Sequence, residues 1–187
     1  MSVVALAGSP SAPSRSTALL RHVLARLDDD VARSEIVLRD LPPAALVRAQ
    51  FDVPAIRRAR EQVAAARVVV IATPIYKASF SGLLKAFLDL LPQDALRGKT
   101  VLVLGTGGSA GHLLALDYAL KPVLAALGAR HILDSIYAVD AQFAPHAIHG
   151  HVADDAIVQR IERALADAPV ALRAAASDAS RPVAIAA

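Results

Sequence analysis

The chain has 187 residues, 55% of them hydrophobic, enough for one domain with a full-sized core; its lack of cysteine excludes disulfides, thiol catalysis and thiolate metal sites. The net charge of +3 is spread along the sequence and aromatics make up only 4%. The basic stripe and stacking platforms of a nucleic-acid binder are therefore absent, while mild positive charge suits small anionic ligands.

The first residues show no basic leader, and no apolar stretch approaches the roughly 20 residues that cross a bilayer, which predicts a soluble, unexported protein of the cytoplasm with no membrane partner. Val3 to Ala7 is a continuous apolar run, the pattern of a strand buried on both faces. It must turn through Gly8-Ser9-Pro10-Ser11-Ala12-Pro13-Ser14-Arg15 into an amphipathic helix over Ser16 to Leu27. Unpaired amides at such a helix start, the helix dipole, the hydroxyls of Ser14, Ser16 and Thr17 and the cationic fork of Arg15 suit this junction to a phosphate. The plainer alternative is a polar turn with Ser16 as an ordinary N-cap.

Asp28, Asp29 and Asp30 read as a polar helix end. A strand over Glu35 to Leu38, a helix over Pro54 to Ala66 and an all-apolar strand over Val68 to Ala72 follow. Pro74 is expected to end that strand and to present Ile75 and Tyr76 as a rigid shelf for a flat heterocycle; otherwise Tyr76 plugs the top of the sheet. A helix over Gly82 to Leu91 and a strand over Thr100 to Leu104 lead to a third loop, Gly105-Thr106-Gly107-Gly108-Ser109-Ala110-Gly111-His112. Its glycines 107 and 108 would let the polar edge of a ring meet backbone N–H groups. Gly105, Gly107 and Ala110 also satisfy the dinucleotide fingerprint, with Asp134 as ribose ligand, but its place on the fourth strand with one strand to follow argues against that reading.

The next helix, Leu113 to Leu127, contains Pro122, which lacks an amide for the Tyr118 carbonyl and crowds it, so a kink or widened turn is expected there. A strand over Ile132 to Tyr137 and a helix from Asp154 to about Ala168 complete the pattern. His146, His149 and His151 read as a solvated loop rather than a metal site, since no carboxylate pattern or second ligand pair accompanies them. One domain is expected over residues 1–175, with 176–187 a mobile tail. Five strands separated by helices imply an α/β three-layer sandwich on a parallel sheet, with ligands gathered at the carboxyl ends of the strands, where all three loops sit.

Three segments together, Leu6 to Pro10 with Pro13 to Ser16, Ala72 to Lys77 with Ser81 to Lys85, and Thr106 to Gly108 with His112 to Leu124, resemble the flavodoxin-like NADPH-dependent FMN reductase family, in particular its branch serving two-component alkanesulfonate monooxygenases. The resemblance covers residues 3 to about 140. It implies a flavodoxin-like five-stranded parallel sheet, with Ser9, Ser14, Arg15 and Ser16 on the FMN phosphate, Pro74, Ile75, Tyr76 and Lys77 flanking the ribityl chain and ring, and Thr106, Gly107 and Gly108 at the pyrimidine edge. It also implies NADPH as electron donor, reduced flavin passed to a partner monooxygenase in sulfur acquisition, and Tyr118 at a subunit contact of a homo-oligomer, tetramer or dimer. Hydride transfer between two cofactors asks the protein for stacking, orientation and exclusion of water, so no side chain is assigned as catalytic.

The wider family often carries a second arginine just after Gly-Ser, where this chain has Pro10 and Ser11, leaving the phosphate to Arg15 alone. For turnover near ~10 s⁻¹ and association at roughly 10⁶ to 10⁷ M⁻¹s⁻¹, a flavin that must leave each cycle needs a Kd of about 1 to 10 μM. The alternatives are a quinone or azo reductase that keeps its FMN, and a flavodoxin-type electron shuttle. Lys77, Lys85, Arg48 and Lys121 are candidates for the 2′-phosphate of NADPH, and the sequence does not choose between NADPH and NADH.

Overall fold

A computed structural model describes residues 2–147 and 150–166; His149 and the tail expected at 176–187 lie outside these. In chain order the elements are β1 (Ser2–Ala7), α1 (Arg15–Leu24), β2 (Ala32–Val37), α2 (Pro43–Val47), α3 (Pro54–Ala65), β3 (Val68–Tyr76), β4 (Ser79–Phe80), α4 (Gly82–Leu88), β5 (Thr100–Gly107), a π-helical segment (Leu116–Leu120) continuing into α5 (Lys121–Ala126), β6 (His131–Ile132), β7 (Ile136–Val139), β8 (Phe143–His146), β9 (Gly150–Ala153) and α6 (Asp155–Ala166).

The parallel sheet runs β2-β1-β3-β5-β6, with β7 continuing beside β5. From β1 the chain goes first to one side and then to the other, so the order reverses between β1 and β3, and the crevice at the carboxyl ends of these strands is where such sheets bind ligands. Alternate residues of each strand face opposite layers. Val4, Leu6, Val69, Ile71, Val101 and Val103 pack against Ile56, Phe87 and Leu124, while Val3, Ala5, Val70 and Leu102 pack against Leu19, Leu20, Ile157 and Ile161. Burial on both faces is why these strands are apolar at every position. The result is the expected flavodoxin-like α/β sandwich.

Three details differ from the sequence expectation. Strand β3 does not stop at Pro74: it runs to Tyr76, and Pro74 stays in register with Thr106 of β5. β1 has ended by the register of Ala72, so Pro74 lies on an open edge on that side, where its missing amide leaves no ladder bond unmade. The fifth strand is split into β6 and β7 around the polar Asp134 and Ser135, although the Leu133 amide still donates to the Val101 carbonyl at 2.9 Å. The widened turn expected before Pro122 is present: within the helix expected over 113–127 lies a π-helical segment followed by α5, the Lys121 amide reaching back five residues to the Leu116 carbonyl one position before Pro122. Finally, Phe143–His146 and Gly150–Ala153 pair as antiparallel strands where a loop was expected, with His146 on β8 and His151 on β9; the His151 ring lies edge-on to Phe143.

Candidate functional site

The first loop hangs from the end of β1 and closes onto the start of α1. The Gly8 amide donates to the Ala72 carbonyl at 2.8 Å, and a side chain at Gly8 would strike that same oxygen at 2.9 Å. Ser14 is the N-cap of α1: its Oγ accepts from the Thr17 amide at 3.3 Å and lies 3.1 Å from Ser16 Oγ. Ser9 is buried and its Oγ accepts from the Ser11 amide at 3.2 Å, so this hydroxyl shapes the turn. A second guanidinium reaches this loop from another element: Arg39, just after β2, donates to the Ser11 carbonyl at 3.0 Å.

Two polar atoms in the first turn of α1 stand out. Arg15 Nε and Thr17 Oγ1 are buried without a hydrogen-bond partner. Buried donors left unmade cost about 1–3 kcal/mol each, and an external oxygen-rich group at this point would satisfy both. The Arg15 Nη1 lies 3.5 Å from Asp140 Oδ2, and this pair is half-exposed. These donors, the free first-turn amides and the dipole of α1 fit a phosphate monoester.

The second loop is a tight β-hairpin. Ile75 pairs with Phe80 and Tyr76 with Ser79, which leaves Lys77 (φ 50) and Ala78 (φ 60) as a two-residue turn, both in the left-handed region. Ile75 is buried, whereas Tyr76 is 47% exposed and does not plug the sheet. Behind it, Thr73 Oγ1 accepts from the Ser81 amide at 3.0 Å, and Ser81 caps α4 by accepting from the Leu84 amide at 3.1 Å while donating to the Gly8 carbonyl.

The third loop leaves β5. Thr106 and Gly107 are buried and Gly108 is exposed. A side chain at Gly107 would meet the Tyr137 hydroxyl at 2.5 Å, and that hydroxyl donates to the Ser109 carbonyl at 2.7 Å. Burial, with the Asp140 carboxylate adding to it, raises the Tyr137 phenol above its usual range, so it remains a donor. Gly105 is pressed by Leu116 of the π-helical segment, whose side chain a Cβ would meet at 2.8 Å. This glycine serves helix packing, which accounts for the chance match to a dinucleotide fingerprint.

All three loops converge at one rim. The first and second are joined through Gly8, Ala72 and Ser81; the second and third through the pairing of Pro74 with Thr106 and the contact of Ile75 with the Gly107 position; the third and first through Asp140, which lies 3.9 Å from a Cβ placed at Gly108. Sequence reasoning missed Ser81, Tyr137 and Asp140, each brought in from elsewhere in the chain. Of the four cations considered for a 2′-phosphate, Lys85 and Lys121 are paired with Asp89 and Asp117 of their own helices at 2.7 and 2.6 Å, which leaves Lys77 and Arg48. Tyr118 is 79% exposed on the π-helical segment, close to exposed Leu113 and Leu114 in the sequence, so it is no core residue. Among the described residues no helix is long and apolar enough to cross a membrane.

The chain is 45% identical over 185 residues to an FMN reductase (NADPH) of Pseudomonas putida strain KT2440, covering 98% of this chain and 92% of that one. It is 50% identical over 143 residues to an FMN reductase (NADPH) of Escherichia coli K12, covering 76% and 75%. Among solved structures, the apo form of an NADH:FMN oxidoreductase (EMOB) superposes with a TM-score of 0.76 at 43% identity, covering 87% of this chain and 85% of that one. The reductase expectation therefore stands over the electron shuttle. Residues 1–144 match the family described as NADPH-dependent FMN reductase, and the chain belongs to it.

Proposed function

We propose that this NADPH-dependent FMN reductase holds its flavin at the rim where the three loops meet, weakly enough to hand it on reduced, and that a flavin-dependent monooxygenase is the recipient. The observation that carries this reading is the pair of buried, unpartnered donors, Arg15 Nε and Thr17 Oγ1, at the start of α1. Arg15 and the hydroxyls of Ser14, Ser16 and Thr17 take the phosphate, Ser9 shaping the turn beneath them. Pro74, Ile75, Tyr76 and Lys77 support the ribityl chain and ring, and Thr106, Gly107 and Gly108 offer backbone donors to the pyrimidine edge. When bound, the flavin accepts a hydride from the nicotinamide; the protein's part is to stack, orient and keep water out.

The branch resemblance supports alkanesulfonate sulfur acquisition as the setting. Exposed Tyr118, Leu113 and Leu114 make an apolar surface suited to a second copy of this chain, which supports a homo-oligomer. Lys77, which among the described residues has no carboxylate partner and stands at the tip of the hairpin beside the ring site, is the side chain we assign to the 2′-phosphate of NADPH.

Steady-state NADPH oxidation against FMN, FAD and riboflavin tests the site. FMN is expected to be preferred over riboflavin. Arg15→Ala should raise the KM for FMN about tenfold or more, the worth of a charge-assisted hydrogen bond, while leaving riboflavin unchanged. Equal use of FMN and riboflavin by the unaltered protein, with no effect of the substitution, would refute the phosphate assignment. Lys77→Ala should raise the KM for NADPH and leave that for NADH alone.

A further inference from the structure

Asp140 begins the turn that follows β7, 125 positions after Arg15 in the numbering, yet its carboxylate is the ion-pair partner of Arg15, at 3.5 Å, and lies against the Gly108 position. Among the described residues Arg15 is its ion-pair partner, and no other cation lies within ion-pair distance of it. A carboxylate in this place is costly to a site that binds a phosphate dianion through the same guanidinium. We propose that Asp140 is a competing anion that occupies Arg15 between turnovers and lowers the affinity of the site for the FMN phosphate, thereby setting how fast flavin leaves. The inference rests on the assignment of Arg15 to that phosphate and deepens it.

Two opposing effects decide the sign. The carboxylate holds the long Arg15 side chain in one place before flavin arrives, which favours binding; for a half-exposed pair such an effect is small, equivalent to no more than about fivefold in a binding constant. Against it stands repulsion between the carboxylate and the arriving dianion. Two anions sharing one guanidinium are about 7 Å apart, and even with water-like screening this is about sevenfold at low salt. Removing the carboxylate also ends its hold on Nη1, so that the guanidinium is free to turn its Nε–Nη2 edge to the phosphate in a two-pronged grip. The net expectation is tighter binding without Asp140.

The test is equilibrium titration and stopped-flow release of FMN and riboflavin with the full chain and its Asp140→Asn variant, an isosteric change at a half-exposed side chain. The variant should bind FMN about fivefold more tightly at low ionic strength, through a slower off-rate, with the advantage shrinking to about twofold near 0.15 M salt. Riboflavin, which has no phosphate, should be unaffected, and Asp140→Glu should restore the FMN behaviour of the unaltered protein. In the Arg15→Ala background, Asp140→Asn should lose most of its effect. Unchanged or weaker FMN binding by Asp140→Asn overturns the proposal, as does equal tightening of FMN and riboflavin, which would place the effect in loop packing. Arg15→Ala separates the two levels: if it leaves the preference for FMN over riboflavin intact, the phosphate assignment itself falls, whereas if it abolishes that preference while Asp140→Asn does nothing, only the role of Asp140 falls.

Discussion

The hydroxyl of Ser81 donates to the carbonyl of Gly8, tying the cap of α4 to the loop that leaves β1. Both groups are buried, and the same oxygen accepts from the Leu84 amide, so one side chain satisfies two backbone groups at the meeting point of two loops. Ser81→Ala should cost about 1–3 kcal/mol, the combined loss of a helix cap and a buried carbonyl's partner. Urea unfolding would register this as a lower midpoint with an unchanged slope. The KM for FMN should rise in parallel, since Gly8 frames the loop we assign to the phosphate.

Ala78 sits at φ 60 in the hairpin turn, a conformation that costs a residue with a Cβ about 1 kcal/mol or more. Ala78→Gly should therefore stabilise the protein by about 0.5 kcal/mol after the extra freedom of glycine in the unfolded chain is subtracted. Calorimetry should find the melting temperature raised by about 1–2 °C. A fall would mean that the turn is not held in this geometry.

Tyr137→Phe removes the bond to the Ser109 carbonyl and should loosen the third loop, raising the KM for FMN about threefold, as expected for one neutral hydrogen bond. Because the folded-state pKa of this phenol lies above its usual value of 10.0, folding favours the protonated form. Its contribution is complete below pH 10 and is lost as pH rises through the folded-state value. The stability gap between the unaltered protein and the Phe variant, measured by denaturant titration at each pH, should thus be constant up to pH 9 and change only above about pH 10.

His22 on α1 is mostly buried beside Arg26, and burial, then the neighbouring guanidinium, lowers its pKa from 6.5 to about 4. The unfolded chain takes up this proton near 6.5 and the folded protein only near 4, so stability is full above 6.5 and drains as pH falls between these values. The loss should be on the order of 2 kcal/mol. His22→Gln should flatten this acid limb in urea titrations run between pH 7 and 4. An acid limb identical in both proteins would rule out His22 as its source.

Much of the fold was legible because burial on two faces writes itself into a strand as an unbroken apolar run. Val68 to Ala72 and Val101 to Leu104 could be assigned on that ground alone. The widened turn at Leu116–Leu120 followed from one missing amide at Pro122. What escaped the sequence was whatever depends on a partner far along the chain. Pro74 remains in β3 because β1 has already ended beside it, and nothing local to Pro74 says so. The β8–β9 hairpin lacks a strand-like apolar run. The turn that leaves β1 was legible from its own residues, whereas the turn expected at Pro74 lies at Lys77–Ala78, and Tyr137, Asp140 and the tie from Ser81 to Gly8 depend on neighbours distant in the sequence.

The hairpin also sets an order of events. Gly150, at φ 70 on β9, packs so closely on Pro13 that a Cβ there would come within 2.7 Å of the ring, and Asp140 and Tyr137 reach the same rim from just upstream. The rim that begins at Ser9 is completed only once Gly150, far downstream in the chain, has been synthesised. A nascent or truncated chain can lay down its central strands early, but it acquires its grip on nucleotide-like ligands last.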